Sequence, residues 1–190
     1  TRAARSSGVE ATSASTNYLY PSLTLWAAAP MPRITALLHT HNDALRLGRC
    51  METLYPCDEI VVVDDQSRDG TLHIAREYGA RVIEASTRLS GEQIRRSTRT
   101  GWILCLDPRE SLTESLAASL FEWKSEALNS SASAAFSVFL REETTGGWVE
   151  HPAAETRLVP ADWSRWEGHF PSSEASALAL EGELLRFVLP

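Results

Sequence analysis

The stretch that most limits how this chain can fold is E-I-V-V-V-D-D-Q-S-R-D-G-T, from Glu59 to Thr71. A half-exposed strand alternates apolar and polar residues. The unbroken run from Ile60 to Val63 therefore predicts a strand buried on both faces, as in an α/β sheet covered by helices. Two carboxylates, Asp64 and Asp65, follow at once. In open α/β sheets ligands bind beyond the carboxyl ends of the strands, so these acids stand where a ligand is expected.

The flanking pattern extends this reading. Ile34 to Leu38 is expected as a first strand, Ile60 to Val63 as a second, Arg81 to Glu84 as a third and Trp102 to Leu106 as a fourth. Between them, helices are expected over Ala44 to Leu54, Thr71 to Tyr78 (ended by Gly79) and Ser90 to Arg99, with a further one over Thr113 to Leu128. Strand and helix at this spacing mean βαβ units, a mostly parallel sheet and right-handed crossovers. After Asn129 the helical pattern stops. Short strand candidates at 134–140, 157–159 and 184–188 predict an antiparallel C-terminal addition. Residues 1–30 are rich in Ser, Ala and Thr, are interrupted by Pro21 and Pro30, and predict a loose N-terminal extension before a single domain over 31–190.

The totals exclude some functions. A formal net charge of −7 argues against a general nucleic-acid binder. No segment approaches the roughly 18 apolar residues of a membrane-spanning helix. The cysteines, Cys50, Cys57 and Cys105, are odd in number in a chain large enough to need no staples. They read as reduced thiols of a cytoplasmic protein, with the inner face of the membrane as one place for it to work.

Three strand ends carry polar residues: His39-Thr40-His41-Asn42, Asp64-Asp65-Gln66-Ser67 and Asp107-Pro108-Arg109-Glu110. In a parallel sheet all three lie at one edge. Each taken singly is also a normal turn or helix-cap sequence, so the convergence is the informative signal.

The blocks I-T-A-L-L-H-T-H-N-D, D-E-I-V-V-V-D-D-Q-S-R-D-G-T-L-H-I-A-R-E-Y-G-A-R-V-I-E and G-W-I-L-C-L-D-P-R-E-S-L-T-E-S-L resemble family 2 glycosyltransferases of the GT-A fold. Within that family they are similar to the bacterial group resembling lipooligosaccharide β-1,4-glucosyltransferases. The resemblance implies a nucleotide-diphosphate sugar donor, a UDP-sugar first, and transfer of the sugar to an acceptor hydroxyl of a cell-surface glycan or glycolipid. It also implies nucleotide contacts from Thr40, His41, Asn42, Asp64, Asp65 and Asp107, with Asp65 accepting an N–H of the base and His41 lying against its ring.

The same comparison exposes three departures. The family's Asp-x-Asp holds Mn²⁺ or Mg²⁺ on the donor diphosphate. Here Asp107 is the first acid, but Arg109 stands where the second would be, and arginine offers no oxygen to a hard cation. Pro171 and Ser172 stand where a His-Glu pair would supply the acceptor base, with His169 and Glu174 nearby but out of register. An Arg-Asn pair before Gly101 is replaced by Glu92 to Arg96.

Two expectations follow. Either Arg109 and Arg95 pair with phosphate oxygens in place of a metal, or the chain is a catalytically inactive pseudoenzyme that keeps the fold and nucleotide binding. A third alternative uses His39 and His41, two apart at a strand end, with Asp64 or Asp107 as a two-histidine, one-carboxylate metal set.

Overall fold

The computed structural model describes residues 31–84, 91–126 and 135–188. The extension expected over residues 1–30 lies outside them. The N-terminal half runs β1 (Ile34–Thr40), α1 (Ala44–Glu52), β2 (Glu59–Asp64), α2 (Thr71–Glu77), β3 (Arg81–Glu84), α3 (Gly91–Ser97) and β4 (Trp102–Leu106). Then come β5 (Glu110–Leu112), α4 (Glu114–Glu126), β6 (Phe136–Thr144), β7 (Gly147–Glu150), β8 (Glu155–Pro160), β9 (Trp166–Glu167), β10 (Phe170–Pro171) and β11 (Leu178–Arg186).

The main sheet has the strand order β3-β2-β1-β4-β8-β6-β11-β5, with β7 paired to β6. β1, β2, β3 and β4 are mutually parallel, as the alternation of strand and helix requires. β8 joins antiparallel to β4 and β6. The C-terminal part is thus antiparallel where it meets β4, but β11 runs parallel to β6 and antiparallel to β5. β5, a three-residue strand with two polar side chains, carries no periodic signal, and the spacing rules did not anticipate it.

The apolar run of β2 behaves as its composition demands. Val62 packs with Leu38, Leu47, Met51 and Leu104 on one face of the sheet. Val61 and Val63 pack with Leu37, Ile94, Ile103 and Val159 on the other. Successive side chains serve opposite cores, the period-two geometry of a strand covered on both sides. On the first face an aromatic trio closes the core. Trp102 meets Trp123 edge-on at 4.9 Å, and Trp123 meets Phe136 at 5.6 Å. Trp163 and Trp166 pack against the second face. No helix among the described residues is long and apolar enough to cross a membrane.

All three cysteines are free thiols. Burial pushes the Cys57 and Cys105 thiols up to about 12, and raises the Cys50 thiol well above its ordinary value. At pH 8 a thiol of that pKa is thiolate in roughly one molecule in 10⁴. Ellman's reagent at pH 8 is therefore expected to leave the folded protein unlabelled for hours and to label all three cysteines in denaturant. Fast native labelling of Cys57 would contradict this.

Candidate active site

Because β1, β2 and β4 are parallel and in register, with Thr40 opposite Asp64, their carboxyl ends open together. They border a cavity of about 530 Å³, to which the β1–α1 loop, the end of β2, the β4–β5 turn and one C-terminal side chain contribute. That is a size suited to a small-molecule ligand.

The loops around this edge are tied to one another. Asp64 is 1% exposed; its Oδ1 accepts from the Thr40 hydroxyl at 3.1 Å and its Oδ2 from the Ser67 N–H at 2.9 Å. Asp64 and Thr40 thus brace the turn, and Asp64 does not line the cavity. Asp65 does, exposed, with its N–H extending the strand ladder to the Thr40 carbonyl at 2.8 Å. His41 donates from Nδ1 to the Asp65 carbonyl at 2.5 Å, while its Nε2 accepts from the Asn42 amide at 3.1 Å, two bonds that a single tautomer satisfies. Asn42 further receives the Arg68 N–H on Oδ1 and donates its own N–H to Ser67 Oγ, both at 2.8 Å. In these loops Asn42 and Gln66 take φ 57° and 56°, left-handed conformations that cost a non-glycine residue about 1 kcal/mol. Such strain clusters where loops must keep one shape around a ligand.

At the β4–β5 turn, Arg109 folds back on Asp107. Its N–H and Nε reach Oδ1 at 2.9 and 2.8 Å, and Nη2 reaches Oδ2 at 3.0 Å, a bidentate fork. Burial pushes the Asp107 carboxyl up, but the Arg109 side chain and N–H outweigh it and hold the acid below its ordinary value. The same bond, against burial, raises Arg109. Both carboxylate oxygens of Asp107 are thereby engaged by a cation.

The residues do not fit the divalent ion of the family. Asp107 is engaged on both oxygens by Arg109, the residue at the motif's second acid position, and no group of three or more His, Cys, Asp or Glu able to hold a metal occurs among the described residues. The two-histidine alternative meets the same objection. His41 has both nitrogens engaged, and His39 is stacked on His169 with centroids 4.0 Å apart and planes at 25°. Arg95 lies in α3, with its side chain outside the described residues.

The C-terminal half reaches the site in two ways. Glu110, the acid that follows Arg109, is 0% exposed and serves as a hub. It accepts from the Asp107 N–H at 2.9 Å, from Arg157 on β8 at 2.9 and 3.2 Å, and from Arg186 on β11 at 2.7 and 3.2 Å. The hairpin β9–β10 presents His169 to the cavity over His39. Pro171 is in β10, Ser172 donates its N–H to the Arg165 carbonyl, and Glu174 is held down to about 2 by Arg165 and then by Ser176. Among the described residues, His169 is the cavity's single lining residue from this half.

Two further lining residues went unread in the sequence: Asp43 and Arg46, the entry and first turn of α1. Their i,i+3 spacing, directly after the His-Thr-His-Asn strand end, was the signal available.

Residues 35–108 match the family model of glycosyl transferase family 2. An uncharacterized glycosyltransferase of Rickettsia prowazekii is 31% identical over 90 residues, 45% of this chain and 31% of that protein. A TPR repeat-containing protein of Synechococcus elongatus is 32% identical over 132 residues, 67% of this chain and 32% of that protein. The chain thus spans about a third of the length of these curated relatives. Among solved structures, S. aureus TarS superposes with a TM-score of 0.52 at 14% identity, over 82% of this chain and 37% of that one. Matched segment and architecture agree: residues 35–108 are those of a glycosyl transferase family 2 segment, set in a fold of the GT-A type.

Proposed function

We propose that the protein binds a nucleoside-diphosphate sugar, a UDP-sugar first, at the carboxyl edge of β1, β2 and β4, without a divalent cation, and transfers the sugar to an acceptor hydroxyl. The observation that carries this reading is the Arg109–Asp107 fork inside a cavity whose other end is marked by Asp65. Asp65 offers a carboxylate to a base N–H, with His41 beside it. Arg109 cancels the charge of Asp107, which would otherwise repel a diphosphate, and keeps Nη1 outside the fork for a phosphate oxygen. His169 is positioned on the cavity wall to take the proton of an attacking hydroxyl.

A second reading, a binding module without turnover, is favoured by one observation. No carboxylate of the C-terminal half lines the cavity among the described residues, and Glu174 is committed to Arg165 and Ser176.

Titration calorimetry with UDP, ADP and GDP separates these readings, run first with Mn²⁺ and then with EDTA. UDP is expected to bind with an affinity unchanged by EDTA, and Arg109→Ala to weaken it by about tenfold, the loss of one charge-assisted contact. Hydrolysis of a UDP-hexose supports the transferase, and binding without hydrolysis supports the module. Binding that vanishes in EDTA refutes the metal-free site, and no nucleotide binding removes both readings.

A further inference from the structure

The cavity holds two guanidinium groups, Arg46 and Arg109. Arg109 has spent its fork on Asp107. Arg46 has not spent its own. Its Nη1 lies 3.8 Å from Asp43 Oδ1, beyond hydrogen-bond length, and its Nε is buried with no hydrogen-bond partner, although the side chain as a whole is 33% exposed. A buried N–H left without an acceptor is uncommon enough to require a reason.

Asp43 is not the missing acceptor. Its Oδ2 accepts from the His41 N–H at 2.9 Å. Burial raises its pKa and Asp107 adds to the rise, and these exceed the lowering from the His41 N–H, Arg46 and Arg109. The remaining lining acids are placed elsewhere: Asp107 under Arg109, and Asp65 at the end of β2. Among the described lining residues, Arg46 is therefore the cation whose Nε edge is left open for an added acceptor. A guanidinium with an open edge selects a planar or tetrahedral oxyanion, which it grips through two N–H groups.

We infer that Arg46 is the diphosphate anchor of this site, taking phosphate oxygens of a nucleoside diphosphate on Nε and a terminal nitrogen. This rests on the nucleotide reading above and assigns within it the cation that a metal-free site requires. α1 holds the residue in place. The Asp43 carbonyl accepts the Arg46 N–H at 2.9 Å, and the start of the helix is tied to the β2–α2 loop by the Asp43 N–H to Thr71 Oγ1 at 2.8 Å.

The test compares uridine with UDP on the full chain in EDTA, for wild type, Arg46→Gln, Arg46→Lys and the surface control Arg76→Gln. Wild type should bind UDP more tightly than uridine. Arg46→Gln should weaken UDP about 10- to 100-fold, the worth of a charge-assisted pair. It should leave uridine within twofold, so the preference for the diphosphate collapses. Arg46→Lys, which keeps the charge and loses the fork, should fall between, and Arg76→Gln should match wild type. An Arg46→Gln protein that keeps the wild-type UDP-to-uridine ratio overturns the assignment, as does a wild type that binds both equally. Absence of both uridine and UDP binding instead overturns the nucleotide reading on which it rests. Should Arg46→Gln fail to fold, the ratio for Arg46→Lys decides: a drop supports the assignment and an unchanged ratio overturns it.

Discussion

Replacing Glu110 by alanine is expected to cost about 3–5 kcal/mol of folding stability, the usual result of removing one partner from a buried ion pair. For a chain of this size that lowers the melting temperature by roughly 6–20 °C. The carboxylate accepts from two guanidinium groups and one N–H, and Arg157, its principal partner, is 1% exposed. Once Glu110 is gone, Arg157 keeps Glu155 at 2.6 Å and the face of Phe170 at 4.2 Å, but its inner edge meets only the Cys105 carbonyl. The Asp107 N–H also loses its acceptor, so the Arg109-bearing turn loosens, and affinity for the proposed nucleotide ligand should fall with stability. Thermal melts of wild type and Glu110→Ala check this. A shift under about 2 °C would mean that the two arginines find water or other partners, and that the hub does not hold the turn.

Gly182→Ala should be nearly as damaging, for a different reason. Gly182 sits in the bulge of β11 at φ +88°, and a Cβ there would meet backbone: the Leu116 N–H nitrogen, the Leu116 Cα at 2.7 Å and the Ser115 carbonyl carbon at 2.8 Å. Backbone at the start of α4 cannot swing aside as a side chain can. Overpacking together with the left-handed conformation is expected to cost about 2–4 kcal/mol. The same approach is made by Thr113, whose N–H and hydroxyl both donate to the Glu183 carbonyl, at 3.1 and 3.0 Å. Gly147→Ala is the comparison: φ is +115° there but nothing lies within 4 Å. It should lose only the conformational part, about 1 kcal/mol. Urea denaturation of both variants separates the terms, and equal losses would show that the contact with α4 contributes nothing.

The parts of the molecule that were legible in sequence are those governed by local rules. β4 was read at its observed bounds, because five apolar residues between Gly101 and Asp107 can only be a covered strand. β2 and the Gly79 cap followed for similar reasons, Gly79 taking φ 73° as a helix-ending glycine does. β9 and β10, two residues each, are too short to carry any period. β11 was found only at its end, since Leu178 to Gly182 mixes exposed apolar and acidic residues around a bulge. The site divides in the same way. The convergence of three strand ends followed from strand order alone. The use made of each residue did not, because it depends on partners far along the chain: Glu110 with Arg157 and Arg186, 47 and 76 positions away. Arg46 was missed because an arginine in the first turn of an amphipathic helix looks like any solvated charge until its neighbours are known.

The placement of β11 between β6 and β5 also bears on how the chain reaches this structure. The four parallel strands and their helices can form from neighbouring sequence, but the acid that fixes the Asp107–Arg109 turn must wait for arginines on β8 and β11. Such long-range closure makes folding slow and leaves an early, partly built sheet with unpaired edges. During synthesis on the ribosome, the ligand-binding edge would thus be outlined early and become rigid only after Arg186 has emerged. A chain arrested before that point would carry every described residue that lines the cavity and still lack the bonds that hold the cavity in shape.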